Sequence, residues 1–488
     1  MAPARDEPAA VDLLIDGGYV LTMDAASTVH PDGAVAIADG RIVAVGSSAA
    51  LRARYRPREV LDARGRAVLP GLIDTHGHAG HSLVKHIGEH LPPAGWRRLM
   101  DHIYFRGSTP AFWHADGMLA TLERLKFGTT CGMAMLGSAP RADDPRYAEA
   151  FCRGAVAVGG RVAVGVGPPR PPWPKTFSHW TDGVKTDVRV SFEDCVATTE
   201  AVIRAWHGGA GGRVAVWVSA SRFLAPSPYD PMFDETDLPV ARRQAAVMRE
   251  LADRYRVGIH THAYGGAIQW VHEQTGILGP DVLLAHCTGA SPREIEILAT
   301  TGTKVSHCPT SRRIYQFKAR VPVVEMLARG VTVAIASDGT ADTTFDLFKD
   351  MRMAMTLQRV HFATPYVLPP GRALRMVTIE AAQAMGVADT LGSLEPGKRA
   401  DVVLVRLQQP HLVPPYLIEH RLVEKACGHD VETVLVDGRV VVRGGRAVLV
   451  DEAEVMAVAT EEARAAIARS GVAPLLRLPR DFWTGVVY

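Results

Sequence analysis

Two histidines one residue apart, His76 and His78, close an apolar run that begins at Val68 and is punctuated by Pro70-Gly71. In a strand, residues i and i+2 project from the same face, so both imidazoles can aim at one point beyond the strand's end. Imidazole nitrogen is a favoured ligand for zinc and iron, and catalytic zinc sites use three protein ligands with one position open. The pair alone is ambiguous, because the chain has 19 histidines. Later apolar runs also end in ligand types: His262, His286, His307 and Asp338. For any one of these a buried, satisfied side chain is the simpler reading. Five runs ending the same way argue for one metal-centred site.

The elements that must position these residues follow from hydrophobic patterning. Apolar strands are expected at 68–78, 128–135, 161–167, 213–219, 257–262, 281–286, 303–307 and 331–338. Amphipathic stretches at 114–127, 191–207, 239–255, 291–301 and 342–357 separate most of them. Ser291-Pro292-Arg293-Glu294 is a helix start with a capping serine, proline at the first position and glutamate three residues on. Strands alternating with helices in this number predict a (β/α)8 TIM barrel, whose chemistry sits at the C-terminal strand ends. A doubly wound open sheet is the alternative, weakened by the lack of Gly-x-Gly-x-x-Gly after an early strand.

Outside the barrel, residues 11–66 form short strands around turns such as Asp39-Gly40, and residues 431–449 form a hairpin turning at Asp437-Gly438. The two flanks are expected to complete one β unit. The organisation is therefore 1–67, N-terminal β part; 68–390, barrel; 391–450, C-terminal β part; and 451–488, a helix capped by Asp451 and a tail. Residues 79–113 read as a long insertion over the active face, and 167–174 as a rigid proline-rich loop.

Composition excludes several classes. Lysine plus arginine exceeds aspartate plus glutamate by 54 − 52 = 2, which gives no support for nucleic acid or a membrane surface as a partner. Six scattered cysteines without a Cys-x-x-Cys pair read as reduced thiols. No secretory signal or bilayer-length apolar run is evident, so a soluble cytoplasmic protein acting on a small molecule is expected.

Pro70-Gly71-Leu72-Ile73-Asp74-Thr75-His76-Gly77-His78, Leu284-Ala285-His286-Cys287, Ser306-His307-Cys308-Pro309-Thr310-Ser311 and Ala336-Ser337-Asp338-Gly339 resemble the amidohydrolase superfamily. The branch they resemble contains triazine hydrolases and nucleobase and S-adenosylhomocysteine-type deaminases. The resemblance covers nearly the whole chain. It implies a distorted barrel with a composite β-sandwich built from the two flanks. It also implies one divalent metal, zinc first with iron or manganese compatible, held by His76, His78, His262 and Asp338. Asp338 would act as the base and His286 would polarise the developing oxyanion or orient the attacking hydroxide. Two-metal relatives need a lysine at the end of strand four, which here reads Val214-Ala215-Val216-Trp217-Val218-Ser219, so one metal is expected. By the same analogy the chain is a homodimer.

Two departures qualify the resemblance. Deaminases of this branch carry a proton-shuttling glutamate three residues after the strand-five histidine, and this chain has Gly265 there. Arg312 follows Ser311 where relatives place asparagine; with Arg222 it points to an anionic substituent on the substrate, although exposed arginines are common. His307 and Trp96 complete the expected substrate contacts, with Tyr104, His102 and Trp173 as further candidates for stacking. His260 is either packing or part of the site. The reading is a metal-dependent hydrolase of a nitrogen-containing, cyclic small molecule. A deaminase with the glutamate replaced and a metal-binding pseudoenzyme are the alternatives.

Overall fold

The computed structural model describes residues 8–89, 91–136, 141–220, 222–223, 225–229, 238–311, 319–478 and 480–486. Barrel strands one to eight are Leu72–Asp74, Thr129–Leu136, Arg161–Val166, Val214–Ser219, Ile259–Tyr264, Val282–Thr288, Lys304–His307 and Val333–Ile335. They pair in parallel, each with the next. The ends meet through a parallel bridge between Gly77 and Asp338, where the Asp338 amide donates to the His76 carbonyl at 3.1 Å. Side chains fill the interior and helices cover the outside, so the strands are buried nearly throughout. The expected (β/α)8 architecture is the one observed.

The single strand expected over 68–78 is two. Arg66–Pro70 belongs to a separate nine-stranded sheet, where it pairs antiparallel with Val402–Arg406, Leu69 opposite Val403. The Gly71 amide still donates to the Asp401 carbonyl at 2.8 Å, while the next amide, Leu72, donates to Gly128 in the barrel at 3.0 Å. The chain thus changes sheets at the proline-glycine step. That second sheet runs Arg446–Ala447, Arg439–Arg443, Val431–Val436, Val402–Arg406, Arg66–Pro70, Ala9–Leu21, Val29–Ala38, Arg41–Ser47, with Tyr55–Asp62 alongside Ala9–Leu21. Strands from both flanks therefore share it. Arg161, at the start of barrel strand three, reaches across to Asp401 at 3.3 Å and Asp437 at 2.9 Å.

The insertion after strand one is largely helical, with a 3-10 turn at His81–Leu83, a helix at Pro93–His102, a π turn at Ile103–Gly107 and a long helix at Pro110–Lys126. After the proline-rich stretch comes a hairpin, Lys175–Thr181 with Val184–Val190. Its Asp182-Gly183 turn has φ of 50° and 78°, a signal for a two-residue hairpin that the patterning of strands and helices passed over. The capping box at Ser291 and Glu294 and the cap at Asp451 are as expected. No described helix is long and apolar enough to cross a membrane.

Candidate metal centre

The ligand-type side chains expected at strands one, five and eight converge. His76 Nε2 and His78 Nε2 each lie 3.3 Å from Asp338 Oδ1, and His262 Nε2 lies 3.2 Å from His78 Nε2. A tetrahedral cation with bonds of about 2.0–2.1 Å has donor–donor edges of about 3.3 Å. All four residues are buried.

Hydrogen bonds fix the tautomer of one donor. His260 Nδ1 is 2.9 Å from the Leu283 carbonyl, which only accepts, so the proton of that nitrogen points there. Burial holds His260 well below the usual histidine range and it is neutral, leaving its Nε2 as an acceptor. His76 Nδ1, 2.8 Å away, must donate to it. Burial likewise pushes His76 down to about 3, so His76 Nε2 carries a lone pair. That atom is buried without a hydrogen-bond partner and faces the Asp338 carboxylate. The Asp338 carboxyl faces the same point, with Oδ1 3.3 Å from the Nε2 atoms of both His76 and His78. Two electron-rich atoms 3.3 Å apart in a dry site repel unless a cation lies between them, so these residues fit a divalent metal.

The strand ends are held by their own network. Asp74 accepts the Ser337 amide at 3.0 Å and the Ser337 hydroxyl at 2.7 Å, and it pairs with Arg124 at 3.1 Å. Ser306 Oγ reaches Thr75 Oγ1 at 2.7 Å. Asp338 itself adopts φ of 66°, a left-handed conformation costly for a non-glycine residue and characteristic of functional positions. Asp74 was legible in the motif, but its partner Ser337 is distant in sequence, so its positioning role was not.

His286, at the end of strand six, places Nε2 3.9 Å from Asp338 Oδ2. Its ring stacks between His262 (5.1 Å, 16°) and Tyr264 (5.6 Å, 7°). Cys308 lies within reach of His286 and Asp338. His307 is buried at the end of strand seven, outside the quartet. Both its ring nitrogens lack hydrogen-bond partners among the described residues, and burial pushes it down to about 3. Trp96 is half-buried and edge-on to His81 at 5.7 Å, and His81 in turn stacks on His78 at 4.6 Å. The insertion thus walls one side of the quartet. Asp116 ties it down by accepting the Gly80 and Ser82 amides. Arg222 is buried after strand four, and its charge acts on the half-buried Asp101. Arg312 lies outside the described residues. Tyr104, Trp173 and His102 pack within the insertion and its surroundings, against Trp113, Phe192 and the Ser470 carbonyl respectively.

The amidohydrolase family profile matches residues 67–441. This chain belongs to the amidohydrolase family. A short stretch, 33–56, also matches the bacterial imidazolonepropionase-like composite domain. The amidohydrolase is 33% identical to a 5-methylthioadenosine/S-adenosylhomocysteine deaminase of Desulforudis audaxviator, covering 93% of this chain and 98% of the relative. It is 30% identical to a 5'-deoxyadenosine deaminase of Methanosarcina mazei, over 94% and 99% of the two chains. Its fold matches a zinc-bound adenosine deaminase from Xanthomonas campestris, with a TM-score of 0.80, 24% identity and coverage of 95% and 100%. It also matches a mutant of atrazine chlorohydrolase from Arthrobacter aurescens in a complex with zinc and atraton, with a TM-score of 0.77, 24% identity and coverage of 92% and 100%.

In this amidohydrolase the position three residues after His262 is closed as well as empty. A Cβ at Gly265 would stand 2.1 Å from the Gly289 carbonyl oxygen, and one at Gly289 would stand 2.3 Å from the Tyr229 ring. The pairing of strands five and six slips between Ala263 and Tyr264. Backbone therefore fills the space into which a side chain at 265 would start.

Proposed function

We propose that this amidohydrolase adds water to a ring carbon of a small nitrogen heterocycle and expels a substituent or opens the ring. The observation that carries this reading is the convergence of His76, His78, His262 and Asp338, with three donor–donor separations of 3.2–3.3 Å, and His286 beside them. The first four would hold one divalent cation, zinc first, with iron and manganese compatible. Bound there, a cation supplies Lewis acidity and makes a water molecule acidic near neutral pH. Asp338 Oδ1 is turned to His76 and His78, so Oδ2 is the acceptor for the proton the water loses. His286 Nε2, 3.9 Å from that oxygen, is placed to bind the substrate atom on which negative charge develops. Its stack on Tyr264 fixes the ring plane. Trp96 and His81 form the wall against which a flat ring rests, and His307, Arg222 and Arg312 are assigned to the rest of the substrate.

Deamination of a 6-aminopurine nucleoside is the second reading, favoured by the names of the relatives that match nearly the whole chain. The closed position at Gly265 counts against it, because the group that protonates the leaving amine must then come from elsewhere.

The test is mass spectrometry of reactions in oxygen-18 water with metal-loaded enzyme. The panel holds S-adenosylhomocysteine, 5-methylthioadenosine, 5'-deoxyadenosine, chloro- and methoxy-triazines, and cyclic amides and ureas. Ammonia release with one labelled oxygen in the ring favours the second reading. Loss of another group, or net addition of water, favours the first. Equal turnover by wild type and D338N on every active substrate would refute both.

A further inference from the structure

Away from the barrel mouth, three ligand-type side chains meet where the second sheet joins the barrel. His411 lies in the loop after Val402–Arg406, and Cys427 caps the 3-10 turn Gly428–Asp430 that leads into Val431–Val436. His411 Nε2 is 2.9 Å from Asp430 Oδ2, and the same oxygen accepts the Cys427 amide at 2.9 Å. One donor atom from each of the three side chains falls within 4.8 Å of the other two.

We propose that His411, Cys427 and Asp430 form a second cation site, taking a thiophilic divalent metal such as zinc or cadmium. The donor set is one nitrogen, one sulfur and one carboxylate oxygen, which suits borderline and soft cations and excludes magnesium or calcium as natural occupants. Three protein donors leave a fourth tetrahedral position for water. The site is built from the inside out. Asp430 is buried with 5% of its side chain exposed, whereas His411 shows 44% to solvent. The carboxylate is thus a fixed base, and the imidazole is free to move outward.

The 2.9 Å separation is that of a proton-bridged pair, shorter than the 3.2–3.3 Å separations of the barrel quartet. A cation entering here therefore displaces the proton between His411 and Asp430 and the thiol proton of Cys427, and releases what it displaces to solvent. The His411–Asp430 pair would open by a few tenths of an ångström, on the side where the imidazole is exposed.

Occupancy would act on the barrel through one neighbour. The Gly428 amide donates to Asp346 Oδ2 at 3.1 Å, while Asp346 Oδ1 accepts the Phe348 amide at 3.0 Å and caps the helix Leu347–Phe362. That helix follows the strand end that carries Asp338. A cation joining the 407–417 loop to this turn would staple the second sheet to it.

The experiment uses the full chain with its barrel metal counted by elemental analysis, then titrated with cadmium. The expected result is one further equivalent with a sulfur-to-cadmium charge-transfer band. C427S should abolish the band, H411A should weaken binding at least tenfold, and C308S should retain it. Cadmium should also protect Cys427 from thiol reagents, since the other five cysteines are buried. A band that survives C427S and vanishes in C308S would put the sulfur donor near His286 and Asp338 and overturn the proposal. No added equivalent, with unchanged Cys427 labelling, would leave the trio a hydrogen-bonded cap and overturn it equally.

Discussion

Asp74, at the end of barrel strand one, grips Ser337 twice, accepting its amide at 3.0 Å and its hydroxyl at 2.7 Å. Through this contact the carboxylate of the next residue, Asp338, is set against the imidazoles of His76 and His78. Asp74 also neutralises Arg124, which is 4% exposed and lies with its guanidinium 3.8 Å from the centre of the Phe345 ring. Removing one partner of a buried pair costs about 3–5 kcal/mol because the other charge is left uncompensated. D74A should therefore lower the denaturant midpoint strongly, and D74N less, since asparagine keeps an acceptor for the Ser337 amide. A D74A stability within about 1 kcal/mol of wild type would show that Arg124 finds another partner, since that is the span of exposed pairs.

The relay from His76 through His260 to the Leu283 carbonyl makes its own prediction. Groups that orient a metal-ligating imidazole typically change affinity by about 10–100-fold. H260A should weaken zinc in a chelator competition by that factor and regain activity when zinc is added in excess. A variant that binds zinc normally would reduce His260 to packing.

How far the sequence discloses this site depends on which residues are close in it. His76 and His78, and His260 and His262, are i, i+2 pairs, so strand geometry alone puts each pair on one face. The barrel rule then places His286, His307 and Asp338 at the same end. Relations across the barrel do not follow from periodicity. The hold of Asp74 on Ser337, the stack of Tyr264 on His286 and the wall made by His81 and Trp96 all depend on how strand ends pack. The change of sheets at Pro70-Gly71 was similarly hidden, because an apolar run reads the same in either sheet. The closure at Gly265 was half visible. The missing glutamate can be read directly, but the Gly289 carbonyl that occupies its space cannot.

Asp116 gives a pH dependence. Burial pushes its carboxyl up to about 7, against two accepted amide hydrogens that pull the other way. The unfolded chain releases this proton near pH 4, while the folded chain holds it until about 7. The folded state binds more protons across that interval, so the stability contribution is present below pH 4 and is lost as pH rises towards 7. The melting temperature of wild type minus that of D116N should therefore fall between pH 5 and 7.5 and then level off. A difference that is flat over this range would mean the amides keep Asp116 ionised throughout.

Gly265 decides between the two catalytic readings. If the missing glutamate were a simple deletion of a functional group, G265E should create a better deaminase. The geometry forbids it, since a Cβ at 265 would stand 2.1 Å from the Gly289 carbonyl oxygen, and backbone cannot yield as a flexible side chain can. Relief would require moving the end of strand six and the turn after it, where His286 and Cys287 already hold positive φ of 73° and 54°. Both G265A and G265E should therefore lower the melting temperature, and overpacking of this kind typically costs about 1–3 kcal/mol. G265E should also reduce turnover of any substrate found, because His286 moves with that segment, and ammonia release from aminopurines should not rise. An increase in deamination by G265E at unchanged stability would mean that strands five and six part readily, and would favour the deaminase reading.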